Sequence, residues 1–276
     1  MKIKNKMIIA ATDFSASAIN AANYAADLAI AINADLLLFH VSPEPLVFGG
    51  VVTTNSPRGI TIEAKDELKE QVQQIRKKIG SGKLKIVSEL RMGSFSNELK
   101  AVCEKESPYA VVMGSQGTTA TERFLFGSHA VHAVKHLLWP VITVPAGVNF
   151  STIKKIAFAC DFGSTEAVPM EEIKMLVKEF NCELHIINVG KEHGHHPMAN
   201  LNADWLKEAL DPIQPIYQFI DDINTDVAIM DFAETNQIDL LIVLPKRRGF
   251  FDRFVYTSTS EHLVLHCHVP VMALHQ

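Results

Sequence analysis

The chain has 276 residues, 47% hydrophobic and 21% charged, with a formal net charge of −5. That length holds one large or two ordinary domains, and that composition is a globular one. The acidic balance argues against a nucleic-acid scaffold and gives no reason to expect a membrane partner, and no apolar run approaches the roughly 18 residues of a membrane span.

The basic opening, Met1-Lys-Ile-Lys-Asn-Lys-Met7, leads straight into a strand pattern, with no hydrophobic core and cleavage site. A cytoplasmic location is the expectation. Met7 to Thr12 is apolar throughout and closes on Asp13-Phe14-Ser15. A run apolar on both faces points to a parallel strand covered by helices. Ser15 is a good N-cap, and Ala18, Ala22, Ala25, Leu28, Ala29 and Ile32 follow at helical spacing. Asp35 to Val41 reads as a second strand. Ser42 to Ile60 carries Pro43, Pro45, Gly49, Gly50, Pro57 and Gly59, a composition that predicts a surface loop without regular structure. Thr61 to Ile79 reads as a charged helix ended by Gly80 and Gly82, Lys83 to Arg91 as a strand and Phe95 to Lys105 as a helix.

The next stretch organises the rest. A buried strand, Tyr109-Ala-Val-Val-Met113, runs into Gly114-Ser-Gln-Gly117, then nine residues, then Gly127-Ser128, then an amphipathic segment from His129 to Leu138. Glycines let backbone approach a ligand, and the unpaired N–H groups of a helix start carry partial positive charge, so the pattern suits an anion such as a phosphate chain. Ser128 stands where that helix would be capped. Pro140 to Pro145 gives a last strand. Strands and helices alternate throughout, which predicts an α/β fold with a parallel sheet whose ligands sit beyond the carboxyl ends of the strands. Asp13 and Gly114 would both line such a site.

The chain then repeats itself. Lys154 to Val189 lies over Lys6 to Val41 without a gap, at a constant offset of 148 (154 less 6, 189 less 41). Asp161 falls on Asp13, Phe162 on Phe14 and Val189 on Val41, and Val269 to Leu274 repeats the ending Trp139 to Val144. The repeat predicts two domains, residues 1–147 and 152–276.

The spacing Gly-x2-Gly-x9-Gly-Ser, complete from Gly114 to Ser128, resembles the nucleotide loop of the universal stress protein family, and the whole chain looks like a tandem member. The resemblance implies two five-stranded, Rossmann-like domains similar to the adenine nucleotide α-hydrolase group, with ATP or AMP as ligand, with or without Mg2+. Carried across, it implies that Asp13 lies by the adenosine, Val41 bonds adenine through its backbone and Met113 lies against the nucleoside. Gly114, Gly117, Gly127, Ser128 and the His129 amide would hold ribose and phosphates, with Arg123 as an auxiliary. It also implies that Val141–Val144 and Val271–Leu274 pair within the chain, with a homodimer as a further option.

The second half departs from this pattern. Its loop reads Pro245-Lys-Arg-Arg-Gly249 to Ser258, where one glycine survives and proline removes an N–H. Asp161 and Val189 remain, and Lys246, Arg247, Arg248 and Arg253 offer side-chain charge instead. Cys103, Cys160, Cys182 and Cys267 lack any Cys-x-x-Cys pair and read as reduced, inert thiols. His193, His195 and His196 cluster in a loop, and His132 and His136 share a helical face, but no cysteine or carboxylate completes a metal set. The expectation is a nucleotide-binding stress or regulatory protein. The alternatives are a slow ATP-hydrolysing or self-phosphorylating enzyme, for which the sequence assigns no base, and a dimerisation scaffold that holds no ligand.

Overall fold

A computed structural model of the chain describes residues 6–44, 47–48, 51–52, 57–80, 82, 84–115, 120–160, 168–190, 206–245 and 259–275, with backbone alone at 47–48, 51–52, 57–60 and 120–126. The chain is α/β and divides into two compact units, residues 1–133 with 146–150, and residues 134–145 with 151–276.

The first unit is built on β1 (Met7–Ala11), which emerges between two neighbours. It pairs in parallel with β2 (Asp35–Ser42) and with β6 (Ala110–Gly114), and β2 pairs in parallel with β5 (Ile86–Met92). The order β6-β1-β2-β5 reverses at β1, the kind of switch point beyond which ligands sit in open α/β sheets. Helix α1 (Ala16–Ala31) begins where Ser15 accepts a hydrogen bond from the Ala18 amide. Its inner face is largely alanine: Ala18, Ala21, Ala22, Ala25, Ala26 and Ala29 are all buried. Small side chains let a helix lie close to a sheet, and Leu28 adds one full apolar side chain, worth about 2 kcal/mol on burial. The segment at 146–150 returns to this helix, where the Asn20 amide donates to the Val148 carbonyl at 3.0 Å and Tyr24 meets Phe150 edge to face.

Two local expectations change. The proline- and glycine-rich loop is not wholly irregular: β3 (Val47–Phe48) and β4 (Val51–Val52) pair antiparallel within it, and α2 (Pro57–Ile79) starts at Pro57. Proline has no N–H to lose at a first helical position, so it opens a helix as readily as it ends one. After α3 (Phe95–Glu106), helix α4 (Ala120–His136) begins at Ala120, so Ser128 lies inside it and is not its N-cap. A helical amide there bonds the carbonyl four residues back, and this removes the unpaired N–H groups expected at Ser128 and His129. Strand β7 (Val141–Val144) is described with the second unit.

In the second unit β8 (Lys155–Ala159), β9 (Glu183–Val189), β10 (Ile216–Ile220), β11 (Leu240–Val243) and β12 (Val271–Ala273) form the parallel order β10-β9-β8-β11-β12. Strand β7 adds to β12 antiparallel, Thr143 facing Val271 and Val141 facing Ala273. The expected pairing of the two closing strands within one chain is therefore present. All four residues of β7 are buried, and an unpaired edge of that character would invite aggregation. Helices α5 (Met170–Phe180), α6 (Thr225–Thr235) and α7 (Thr259–His266) belong to this unit. The repeat seen in sequence reappears as identical backbone bonds. Thr12 N–H donates to Phe39 O at 2.9 Å, as does Cys160 N–H to Ile187 O; Asp35 N–H donates to Lys6 O at 2.8 Å, and Glu183 N–H to Lys154 O at 2.9 Å.

No described helix is long and apolar enough to cross a membrane. Among the described residues Cys103, Cys160 and Cys267 are buried thiols outside any disulfide, and Cys182 is a partly buried one. Burial pushes the Cys103 thiol up to about 12 and that of Cys182 up to about 11, which keeps both protonated and unreactive.

Candidate functional site

The carboxyl ends of β1, β2 and β6 open on a cavity of about 200 Å³ within the first unit. Its lining includes Asp13, Val41, Met113, Gly114 and His129, five positions that the sequence had marked from separate stretches. Gly127, buried, and Ser128, exposed, sit on α4 and are not among the lining residues. Gly117 lies outside the described residues, as do the Arg123 side chain, Asp161, the Lys246–Arg253 segment and His193, His195 and His196.

The turn after β1 is held by its own side chains. Thr12 Oγ1 donates to Gln71 Oε1 on α2 at 3.1 Å and accepts the Phe14 amide at 3.1 Å. Phe14 takes φ of 68°, a left-handed conformation that is uncommon for a non-glycine residue and that turns the chain from the strand into α1. Asp13 Oδ1 accepts the Ser15 amide at 3.1 Å and the Ser15 hydroxyl at 2.8 Å. A carboxylate has room for more than two donors, so Asp13 can still take a ligand hydroxyl. Burial pushes the Asp13 carboxyl above its ordinary value, against the Ser15 bonds that hold it down. The helix-capping role and the ligand role thus coexist in one side chain.

Gly114 has a structural reason to be glycine. A Cβ there would stand 2.4 Å from Ser17 Oγ and 3.2 Å from the Ser17 backbone carbonyl group. The alanine-rich helix approaches β6 so closely that any side chain at the strand end collides with it.

Sequence reading missed the other wall. His40 Nδ1 lies 2.8 Å from Thr12 O, and because a carbonyl only accepts, this nitrogen carries the hydrogen. The His40 ring lies against Phe14, with centroids 4.5 Å apart. Phe95, the first residue of α3, packs its ring on His129 at the same centroid distance. His40 neighbours Val41, and Phe95 follows the sharp turn at Gly93, where φ is 138°; those placements were the available signals. On α4, His132 Nδ1 is 3.1 Å from Ser96 Oγ, and among the described residues no group of three or more His, Cys, Asp or Glu is arranged to hold a metal ion.

Known proteins share this chain's pattern. The sequence model of the Universal stress protein family matches residues 4–145 and 206–275, one stretch in each half. A universal stress protein of Methanocaldococcus jannaschii is 31% identical over 140 residues, 50% of this chain and 81% of its own. Among solved structures, a universal stress protein from Archaeoglobus fulgidus superposes with a TM-score of 0.75 at 21% identity, covering 98% of this chain and 96% of its own. A functionally unknown protein from Pseudomonas aeruginosa gives 0.60 at 12% identity, over 98% and 92%. At such identities the structural likeness speaks to the fold. The family match speaks to descent: the chain belongs to the universal stress protein family, as a tandem member.

Proposed function

We propose that this chain binds an adenine nucleotide, ATP or AMP, in the cavity of its first unit and acts in a stress or regulatory role by binding and not by committed chemistry. The observation that carries the reading is the meeting of Asp13, Val41, Met113, Gly114 and His129 around one cavity at the strand-order switch. Five residues from four separate stretches of sequence converge where α/β sheets hold their ligands. In this reading Asp13 takes a ribose or adenine donor, Val41 and Met113 lie along the nucleoside, and the phosphates lie toward Gly114, Gly117 and His129, with Mg2+ accompanying a triphosphate. The repeats 1–147 and 152–276 are the two domains, the second without a working phosphate loop. The protein is cytoplasmic, and association into a homodimer is compatible with this role.

The test is the nucleotide content of the purified chain: denature it, separate the released small molecules and count adenine nucleotides per chain. One per chain is expected. Two would mean that the second half also binds. None, together with no heat of binding on adding ATP and magnesium, would overturn the proposal and leave the scaffold alternative.

A further inference from the structure

The described lining of the cavity poses a charge problem. It holds one carboxylate, Asp13, and two imidazoles, His40 and His129, but no lysine or arginine. Among the described lining residues a phosphate entering there meets a negative group and no fixed cation. His40 already donates its Nδ1 hydrogen to Thr12 O. His129 is placed differently. Its backbone amide belongs to α4, so what it offers the cavity is its ring, which is half-buried and set against Phe95.

We propose that His129 is the proton-coupled anion contact of this cavity, taking up a proton as a phosphate-bearing nucleotide enters. This rests on the nucleotide reading above and adds a mode of regulation to it: affinity that follows pH. The chemistry is direct. A neutral imidazole gains a proton on one ring nitrogen, the imidazolium then donates a charge-assisted hydrogen bond to a phosphate oxygen, and the proton comes from solvent.

The groups around His129 support that assignment. Asp13 faces it from the turn after β1, His40 lines the same cavity from β2, and α3 supplies Phe95 and Ser96, with Glu98 further along it bound to Arg91 of β5 at 3.2 Å. His132 and Lys135 follow on α4, where His132 meets Ser96 and Lys135 pairs with Glu261 at 2.8 Å. Among the described residues, Asp13 is the one whose charge reaches the ring. Burial pushes the imidazole below its ordinary value, and Asp13 acts in the opposite direction with the smaller effect. Without ligand, His129 is therefore neutral near pH 7. An anionic ligand raises its proton affinity, so binding takes up a proton, and affinity climbs as pH falls from the value for the complex toward that for the free site.

The experiment is calorimetric titration of the full chain and of His129→Gln with AMP, ATP and adenosine, from pH 5.5 to 8. At each pH it is run in two buffers of different ionisation enthalpy, so that protons taken up are counted. Glutamine keeps a donor and cannot titrate. The expected result is proton uptake by the parent chain with AMP and ATP, beyond any shown by the variant. For each unit by which ligand raises the imidazole pKa, affinity of the parent gains up to about tenfold relative to the variant as pH falls from 8, the gain being complete only below the free-site value. Adenosine should show neither effect. The phosphate's own titration is common to both proteins and cancels in the comparison. Equal uptake and parallel pH profiles would overturn the role of His129 while leaving nucleotide binding intact. Binding of adenosine and nucleotides with no difference between parent and variant would do the same. No binding of any ligand to the parent chain at any pH would overturn both. A C2–H resonance assigned by its loss in His129→Gln gives a second reading: its midpoint should rise on adding AMP, and an unmoved midpoint counts against the proposal.

Discussion

The two halves of this chain keep the same frame and differ in what the frame carries. The bonds that set β1 on β2 recur in β8 on β9, residue for residue at an offset of 148. Even the bridge between strand ends is kept. His40 donates to Thr12 O at 2.8 Å, and Asn188 Nδ2 donates to Cys160 O at 2.9 Å. The differences begin at side chains that no longer share a task. Register places Leu244 of the second half where Gly114 stands in the first, since Ile8 pairs with Ala110 as Ile156 pairs with Leu240. Leu37 of the first core, 4% exposed, corresponds to His185 in the second, 7% exposed. The backbone frame is thus kept where the side chains it carries have diverged.

The largest way to break the comparison is to move the second half's residue into the first. Gly114→Leu drives a side chain into Ser17, whose Oγ and carbonyl group leave no space. The first unit should lose about 3 kcal/mol, the upper range for overpacking against backbone. Urea unfolding with hydrogen exchange read on β1 and β6 measures it, and a loss below about 1 kcal/mol would show that α1 yields. For the same reason a Gly114 variant is a poor probe of ligand binding, because it changes the fold first.

Second in size is the ligand itself. Asp13→Ala removes the carboxylate that lines the cavity, and nucleotide affinity should fall about 10- to 100-fold, the range for losing a charged hydrogen-bonding partner. Asp161→Ala, the matching position in the second half, should leave affinity within about twofold if that half has lost its phosphate loop. Calorimetry on both variants decides it. Equal losses would mean that the halves bind alike.

Much of this was legible in the sequence, and for physical reasons. Strands buried on both faces read as apolar runs, and the offset of 148 needs no structure to be seen. Asp13, Val41, Met113 and Gly114 stand at strand ends, which topology alone brings together. Position along α4 was not legible. Gly127 and Ser128 carry the signature of a helix start, yet Thr119 to Phe126 holds enough helix-forming residues for the helix to begin at Ala120. The reason for Gly114 was hidden too, because a glycine needed for ligand approach and one needed for helix packing look the same in one dimension. Phe95 and His40 belong to the site through contacts across elements, which periodicity does not encode.

A third prediction sharpens the contrast between the cores. Neither ring nitrogen of His185 makes a hydrogen bond among the described residues, and the Glu183 carboxylate is 3.5 Å from Nε2. At that distance, with Glu183 well exposed, it offers the ring little. Replacing it with the first half's residue, His185→Leu, removes two buried polar nitrogens without leaving a large cavity. The second unit should gain about 1 kcal/mol. Thermal unfolding against the parent chain reads it, and a loss would show that the imidazole has a partner that outweighs its burial.

The smallest effect tests what the halves still have in common. His40→Asn brings Asn188 into the first half. If the bridge to Thr12 O is a frame element, asparagine should restore it, and stability should stay within about 0.5 kcal/mol of the parent. His40→Ala, which leaves that carbonyl without its donor, should cost about 1 kcal/mol. The asparagine variant does lose the ring packed on Phe14, so a small deficit that alanine shares would be packing and not the bridge. Nucleotide affinity separates the two remaining possibilities. Unchanged binding in His40→Asn assigns the imidazole to the frame, and a fall of tenfold or more assigns it to the ligand (about 1.4 kcal/mol). In that second case the bridge has acquired a task in one half that it does not perform in the other.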